Sequence, residues 1–298
     1  MNAPVAGRYA PHLVLVLLIA IWGSSFAVVK VALDSLSPFA LVAVRFWLAF
    51  ACMLTMLRGR VVRDLRPSMR AGLTAGAALA IGYLLQMAGM RETSASMGGF
   101  LAGLIVLLVT IGGCVFFGAR LGPRSLAGLG LGLLGMVFLC WPSDAGDGPK
   151  DTMRGIALQI GSSTSYAAHI LILWHYGRST PAVAFCLWQF ATVAVAGSAA
   201  ALVHGEFGAG GARVEWTPAL LGCMAYLGVL ASAIAIALQG RVQHRIAPTH
   251  LGLLYALQPL FAALVGWAAL DDRMGALQLL GGMTIVAGVV VTSLERKQ

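Results

Sequence analysis

Carboxylates are the first scarcity. The 298 residues include only 11 Asp and Glu, and charged residues of both signs amount to 10%. A soluble domain carries about 25% charge, so this chain lacks the means to cover a globule for water. With 59% hydrophobic residues and a mean hydropathy of +0.86, it is instead a multi-pass membrane chain. The short start "MNAPVAGRYAPH" has no trustworthy small-residue cleavage site beyond the first apolar run, which is therefore expected to be an uncleaved span.

Other absences exclude chemistry. Cys52, Cys114, Cys140, Cys186 and Cys223 sit in or beside apolar runs, at neither disulfide-framework nor metal-ligand spacing. The six histidines show no HExxH pattern, and no acid occupies the middle third of an apolar run. An enzyme working within the membrane would need such a set, or paired aspartates, or a Ser–His pair on facing helices. No catalytic residue, metal or cofactor is expected. The rings of repeated charge that a channel filter uses are missing too. The net charge of +9 comes from arginines in short gaps, with no continuous basic face, so nucleic acid is not an expected partner. No obligate protein partner is evident. The expected partners are the lipid bilayer and a small-molecule substrate.

What the chain does have is apolar runs, near 12–33, 38–57, 71–90, 96–118, 125–142, 153–174, 181–203, 217–239, 248–270 and 275–294. Each approaches the roughly 20 residues that cross a hydrocarbon core as a helix. Ten spans place both termini on one side. If that side is the cytoplasm, 13 of the 20 Lys and Arg lie inside and six outside, with Arg45 inside a span. The positive-inside rule thus predicts cytoplasmic termini.

Shifted by 153 residues without gaps, the chain matches itself at Leu85-Gln86 with Leu238-Gln239, Gly99 with Gly252, Leu101 with Leu254 and Gly113 with Gly266. Arg120, Leu126, Gly128 and Gly135 meet Arg273, Leu279, Gly281 and Gly288 in the same register. Each half holds five spans, an odd number, so the halves enter the membrane from opposite faces. The predicted fold is an all-α integral membrane protein of ten transmembrane helices, in two inverted-topology repeats (residues 1–146 and 147–298) around a central cavity. Secondary transporters often use this plan, with the substrate at the midplane and one half rocking against the other.

The motifs "WGSSF", "VAVRF", "FFGARLGPRSLAGLGLGLLG" and "ALDDRMGALQLLGGMTIVAG" occur in this order. Through them the whole chain resembles the EamA family of the drug/metabolite transporter superfamily. The resemblance implies a carrier of the bacterial inner membrane, exporting amino acids or related metabolites from a cavity between two repeats. The aromatic amino-acid exporter branch (YddG-like) is the preferred match. Two positions depart from the family pattern. Ala119 stands where an acid usually precedes the arginine, whereas the second half keeps Asp272. Pro259 has Val106 as its counterpart, which predicts a straighter fourth helix.

Polar residues inside spans must face a cavity or one another. The candidates for substrate binding are Trp22, Ser24 and Ser25 in the first span; Arg45 in the second; Tyr83 and Gln86 in the third; Ser162, Tyr166 and His169 along one face of the sixth; and Tyr255 and Gln258 in the ninth. Trp188 and Gln189 lie in the seventh. Gly23 and Pro259 are candidate gating or kink positions. Each serine has a plainer reading as a donor to a carbonyl one turn back, and Arg45 as a carbonyl-bound structural residue. A charge at mid-bilayer costs about 2.5–3.5 kcal/mol, so Arg45 must find compensation, for which a substrate carboxylate would serve. Lys30 stands near enough the end of its span to snorkel.

Rings and hydrogen-bonding groups without acids suit a zwitterionic, amphipathic molecule. The expected activity is export of amino acids, aromatic ones favoured, by alternating access without a buried carboxylate for ion coupling. An organophosphate or nucleotide-sugar exchanger of the same superfamily is the alternative, and would need more cationic residues at depth.

Overall fold

The structure is a computed structural model that describes residues 5–55, 59–93, 101–139, 152–206, 216–270 and 275–293. Gly99, Asp272 and Arg273 lie outside these segments. Among the described residues there is no strand, and the helices form ten rods. They are α1 (Val5–Leu33), α2 (Pro38–Leu54), α3 (Gly59–Met90), α4 (Leu104–Phe117), α5 (Pro123–Leu139), α6 (Met153–Tyr176), α7 (Ala182–Val203), α8 (Pro218–Arg245), α9 (Pro248–Tyr255 and Leu257–Leu270) and α10 (Ala276–Ser293).

Local chemistry sets the ends. α2 and α8 open on proline, whose missing N–H costs nothing in a first turn. Thr152 and Thr217 cap α6 and α8 by accepting the amides of Gly155 and Leu220. α4 stops at Gly118, which takes the left-handed φ of 61°. The third apolar run is extended upstream, because the basic segment from Gly59 onward joins α3 as helix.

Five rods, α1, α3, α6, α7 and α8, are long and apolar enough to cross a membrane. The other five contribute shorter apolar helices of 10–17 residues. The outward faces are apolar: Phe116 is 75% exposed, Leu126 60% and Val195 57%. This is the surface of a chain solvated by lipid.

The rods pack in a recurring pattern. α3 lies against α6 and α7, and α8 lies against α1 and α2. α4 touches α6, and α1 touches the second part of α9. α2–α7, α4–α9 and α5–α10 are direct pairs. One core gathers Phe46, Phe190, Leu220 and Leu227 from α2, α7 and α8. A second gathers Ile19, Val109, Met136, Leu251 and Ile285 from α1, α4, α5, α9 and α10.

Between α5 and α10 the backbones nearly touch. A Cβ on Gly135 would stand 2.6 Å from the Gly281 carbonyl oxygen, and one on Gly288 would stand 2.7 Å from that of Gly128. The contacts cross over: residue 128 meets 288, and 135 meets 281. Adding 153 to 128 and 135 gives 281 and 288, so each contact is the image of the other.

One expectation about helix shape needs correction. α9 breaks at Ala256 (φ −61°, ψ −19°), three residues before Pro259. A proline lacks the donor for the carbonyl four residues back, here Tyr255, and its ring crowds that oxygen. Val106 predicts a straighter fourth helix, yet the chain turns at Gly103 (φ −62°, ψ −18°) before α4 opens at Leu104. Gly103 is 153 residues before Ala256. The turn stands at the matching place with no proline, since glycine weakens a helix by about 1 kcal/mol. α1 is helical throughout Val5–Leu33, Gly23 included.

Candidate substrate-binding site

Arg45 is the eighth residue of the 17 in α2, and it is buried at 5% exposure. Its Nε donates to Ser232 Oγ on α8 at 2.7 Å. The guanidinium carbon lies 5.2 Å from the Tyr83 ring centroid and 5.5 Å from that of Phe46. Ser232 belongs to a π-helical stretch, Ala225–Ile234, and its hydroxyl donates to the Leu227 carbonyl five residues back. With its proton committed there, the serine oxygen presents lone pairs to Arg45. Stretches of π-helix are rare and gather at functional positions.

Tyr83 continues the cluster on α3. Its ring meets Tyr166 of α6 edge-on, with centroids 5.5 Å apart. The Tyr166 hydroxyl returns to α3 and donates to Gln86 Oε1 at 3.0 Å. Gly82 makes this possible, because a Cβ there would stand 2.7 Å from the Tyr166 ring.

A second group lies on the other side of α8. Trp22 Nε1 donates to the Ala231 carbonyl at 2.8 Å, and the indole stacks on Tyr255 with planes 11° apart. Gln239 Nε2 donates to Tyr255 Oη at 2.6 Å and to Gln243 Oε1 at 2.7 Å. Gln243 Nε2 closes onto the Ile170 carbonyl of α6. The repeat-matched glutamines 86 and 239 thus each bind a tyrosine hydroxyl. The Ser232–Ala231 backbone of α8 joins the two groups, so Gln86, Tyr166, Tyr83, Arg45, Trp22 and Tyr255, from five other helices, form one chain of contacts, buried at Arg45 and Tyr255 and half-buried at the rest.

Other candidates are engaged elsewhere. Ser25 donates to the Trp22 carbonyl within its own helix. Ser24 donates to carbonyls of its own previous turn, and its oxygen lies 2.6 Å from Tyr226 Oη. Ser162, Ser163 and Ser165 donate to the carbonyls of Gly82, Leu101 and Ala78. These bonds cross to neighbouring helices, where the plainer reading puts them one turn back. His169 Nε2 donates to Gln189 Oε1 at 2.8 Å, a buried tie between α6 and α7. No side-chain bond joins Gln258 to the cluster; its backbone oxygen and Phe261 face Gly23, where a Cβ would stand 2.8 and 2.6 Å from them. Gly23 serves helix packing there. Trp188 Nε1 donates to the Leu65 carbonyl, and Lys30 is exposed.

Several residues escape a sequence reading. Ser232 sits in an otherwise apolar run, and Tyr226 has the look of an interface-belt tyrosine. Gln243 lies beyond the predicted end of the eighth span. Glu206 has the look of a loop acid, yet its Oε2 accepts the amides of Phe39 and Ala40 at 2.9 Å each. Its Oε1 accepts from Arg91 at 2.9 Å, which ties α2, α3 and α7 at one end of the bundle. Glu92 likewise accepts from Thr152 and pairs with Arg154. At the opposite end a cleft of about 450 Å³ is lined by Gly177, Pro181, Gly240, Arg241, His244 and Arg245. No candidate residue lines it. The same turns of α8 hold Gln239 and Gln243 inward. Among the described residues, no three His, Cys, Asp or Glu gather as metal ligands would.

The model of the EamA-like transporter family matches residues 10–141 and again 153–294. An uncharacterized transporter of Archaeoglobus fulgidus is 28% identical over 289 residues, covering 97% of this chain and 87% of its own. A probable amino-acid metabolite efflux pump of Escherichia coli K12 is 26% identical over 290 residues, covering 92% of each. The uncharacterized inner membrane transporter YedA of the same strain is 26% identical, covering 93% and 88%. A solved structure superposes with TM-score 0.76 at 20% identity, over 94% of this chain and 95% of its own, and shows the fold alone.

Proposed function

The chain belongs to the EamA-like transporter family, and from that premise we propose a carrier that exports amino acids, aromatic ones favoured, by alternating access across a bacterial inner membrane. The observation that carries the reading is the interior chain Gln86–Tyr166–Tyr83–Arg45–Ser232, joined to Trp22–Tyr255, in which Arg45, Ser232 and Tyr255 are buried and the rest half-buried. It brings ring faces, hydrogen-bonding groups and one cation together between two apolar cores. That is the chemistry an amphipathic zwitterion needs. The efflux-pump relative supports the substrate class.

All ten rods span the membrane in this reading, as two inverted five-helix repeats, 1–146 and 147–298. Three observations support it. The family model matches twice. The breaks at Gly103 and Ala256 keep the 153-residue offset. The crossed contacts of residues 128 and 288, and of 135 and 281, are those of a two-fold axis lying across an antiparallel helix pair. Both termini face the cytoplasm, and the Glu206 and Glu92 clasps close the outer end. Those clasps join helices of opposite halves, so they part when the outer side opens. Substrate moves down its gradient, because no carboxylate among the described residues lies within the middle of a helix.

The test is counterflow in proteoliposomes preloaded with each of the twenty amino acids. Internal substrate should stimulate uptake of the same labelled compound. Uptake that is indifferent to the internal pool indicates a channel, and a chemically altered product indicates an enzyme; either result rejects the carrier. Reporter fusions at the two ends should both read cytoplasmic.

A further inference from the structure

Among the described residues, Arg45 is a buried cation without a carboxylate partner. Among the described residues the acids are Asp34, Asp64, Glu92 and Glu206, all near helix ends. Glu92 and Glu206 are paired, with Arg154 and Arg91 respectively. Arg45 makes one hydrogen bond, from Nε to Ser232. Its two terminal nitrogens, with four N–H donors, have no acceptor among the described residues. Aromatic faces attract the charge, but they leave those donors unused, and unused donors at depth are costly.

The geometry narrows what can satisfy them. Holding Nε fixes the guanidinium plane, because the guanidinium is a rigid fork. Ser232 cannot rotate freely, since its own proton is committed to the Leu227 carbonyl. The edge left open carries the two terminal nitrogens, whose parallel N–H groups match the two oxygens of a carboxylate. Beside it stand Tyr83 and Tyr166, ring edge against ring face, as a wall for an apolar or aromatic remainder. Among the described residues the other Lys and Arg lie near helix ends, between helices or, as Arg60 to Arg70, in the basic lead of α3 ahead of its apolar run. The site therefore balances one negative charge.

We propose that Arg45 is the carboxylate anchor of the transported molecule: its terminal nitrogens bind one carboxylate, and amines lacking that group are rejected. This deepens the carrier reading and rests on it. Serine 232 is the positioning residue, and the substrate class is the monocarboxylate or zwitterionic amphiphile, as opposed to the organic amine or the multiply charged phosphate.

The experiment uses the full chain in proteoliposomes. Counterflow of each amino acid that the carrier accepts is challenged with the amine left by removing its carboxylate, for phenylalanine phenethylamine and for leucine isoamylamine. The amino acid should be carried and the amine neither carried nor competitive. Arg45→Gln should raise the half-saturating amino-acid concentration about tenfold or more, the scale of a lost charge-assisted hydrogen bond, with Arg45→Lys between the two. Elution as a single folded species accompanies each variant, and the wild-type amine challenge stands if a variant fails to fold. Equal transport of amine and amino acid, or an unchanged half-saturation in folded Arg45→Gln, overturns the anchor while leaving a carrier. Silence from all twenty amino acids overturns the carrier reading of the preceding subsection, and the anchor with it.

Discussion

Alanine at two glycines of α5, five residues apart, should shift stability in opposite directions. Gly130 has no heavy atom within 4 Å of where a Cβ would stand. Gly130→Ala therefore adds only helix propensity, about 1 kcal/mol in its favour. Gly135 differs. Its added Cβ would meet the Gly281 carbonyl oxygen at 2.6 Å, and Ile285 Cγ1 and the Ile285 amide nitrogen at 2.8 Å each. Two of these three atoms are backbone, so no side-chain rotation relieves them and α5 must separate from α10. Overpacking a close interface costs about 1–3 kcal/mol, and a clash with two backbone atoms in the middle of that range outweighs the propensity gain of about 1 kcal/mol. Gly135→Ala should thus lower stability by about 1 kcal/mol net, and Gly130→Ala should raise it or leave it level. At about 2–4 °C per kcal/mol for chains of roughly this size, the two melting temperatures should separate by several degrees. The assay is intrinsic-fluorescence melting of the purified protein in one detergent, with elution profiles as a check on folding. Gly281→Ala should behave like Gly135→Ala, since its Cβ meets the Gly135 oxygen at 2.6 Å. Shifts of the same sign and size at 130 and 135 would refute the claim that α5 and α10 are held together by backbone contact.

The clasp at the other end gives an unequal pair. Glu206→Ala strands the amides of Phe39 and Ala40 and should cost about 1–3 kcal/mol, whereas Arg91→Ala, whose side chain is 49% exposed, should cost about 1 kcal/mol or less; equal melting shifts would refute a capping role for the carboxylate. Trp22→Ala and Tyr166→Phe should each lower counterflow while the protein elutes as one folded species, the first by losing the Ala231 bond and the Tyr255 stack, the second by freeing Gln86. Wild-type rates in both would remove these side chains from the transport path.

The helices were open to a sequence reading because lipid permits few solutions. A run that is apolar on all sides and about 20 residues long must satisfy its backbone internally. That alone locates ten rods, although α1 and α3 begin upstream of their apolar runs, α4 is helical only from Leu104 and α8 runs on to Arg245. The candidates Arg45, Tyr83, Gln86, Tyr166, Trp22 and Tyr255 were legible for the same reason, since a polar group at depth must have a partner. The matched glutamines were legible as a repeat, and each binds a tyrosine hydroxyl.

The partners were not legible. Composition says that Ser162 and Tyr226 need hydrogen bonds, but the bonds that satisfy them run between helices 80 or about 200 residues apart, to the Gly82 carbonyl and to Ser24 and the Ile21 carbonyl. Ser232 faces Arg45 through a π-helical stretch whose five-residue bond has no pattern in an apolar run. The break before α4 arises at a glycine where proline was the visible signal. Glu206 lies deep against α2 only because the ends of α2, α3 and α7 converge there.

Sequence alone therefore determined that this is an all-helical membrane chain with a cation and several aromatic hydroxyls at depth, because transfer of side chains and backbone from water to hydrocarbon is a property of each residue taken singly. Which of those groups meet, and that Arg45 keeps both terminal nitrogens without an acceptor among the described residues, was decided by tertiary structure, because the direction of a hydrogen bond depends on the relative rotation of packed helices, which no single residue encodes.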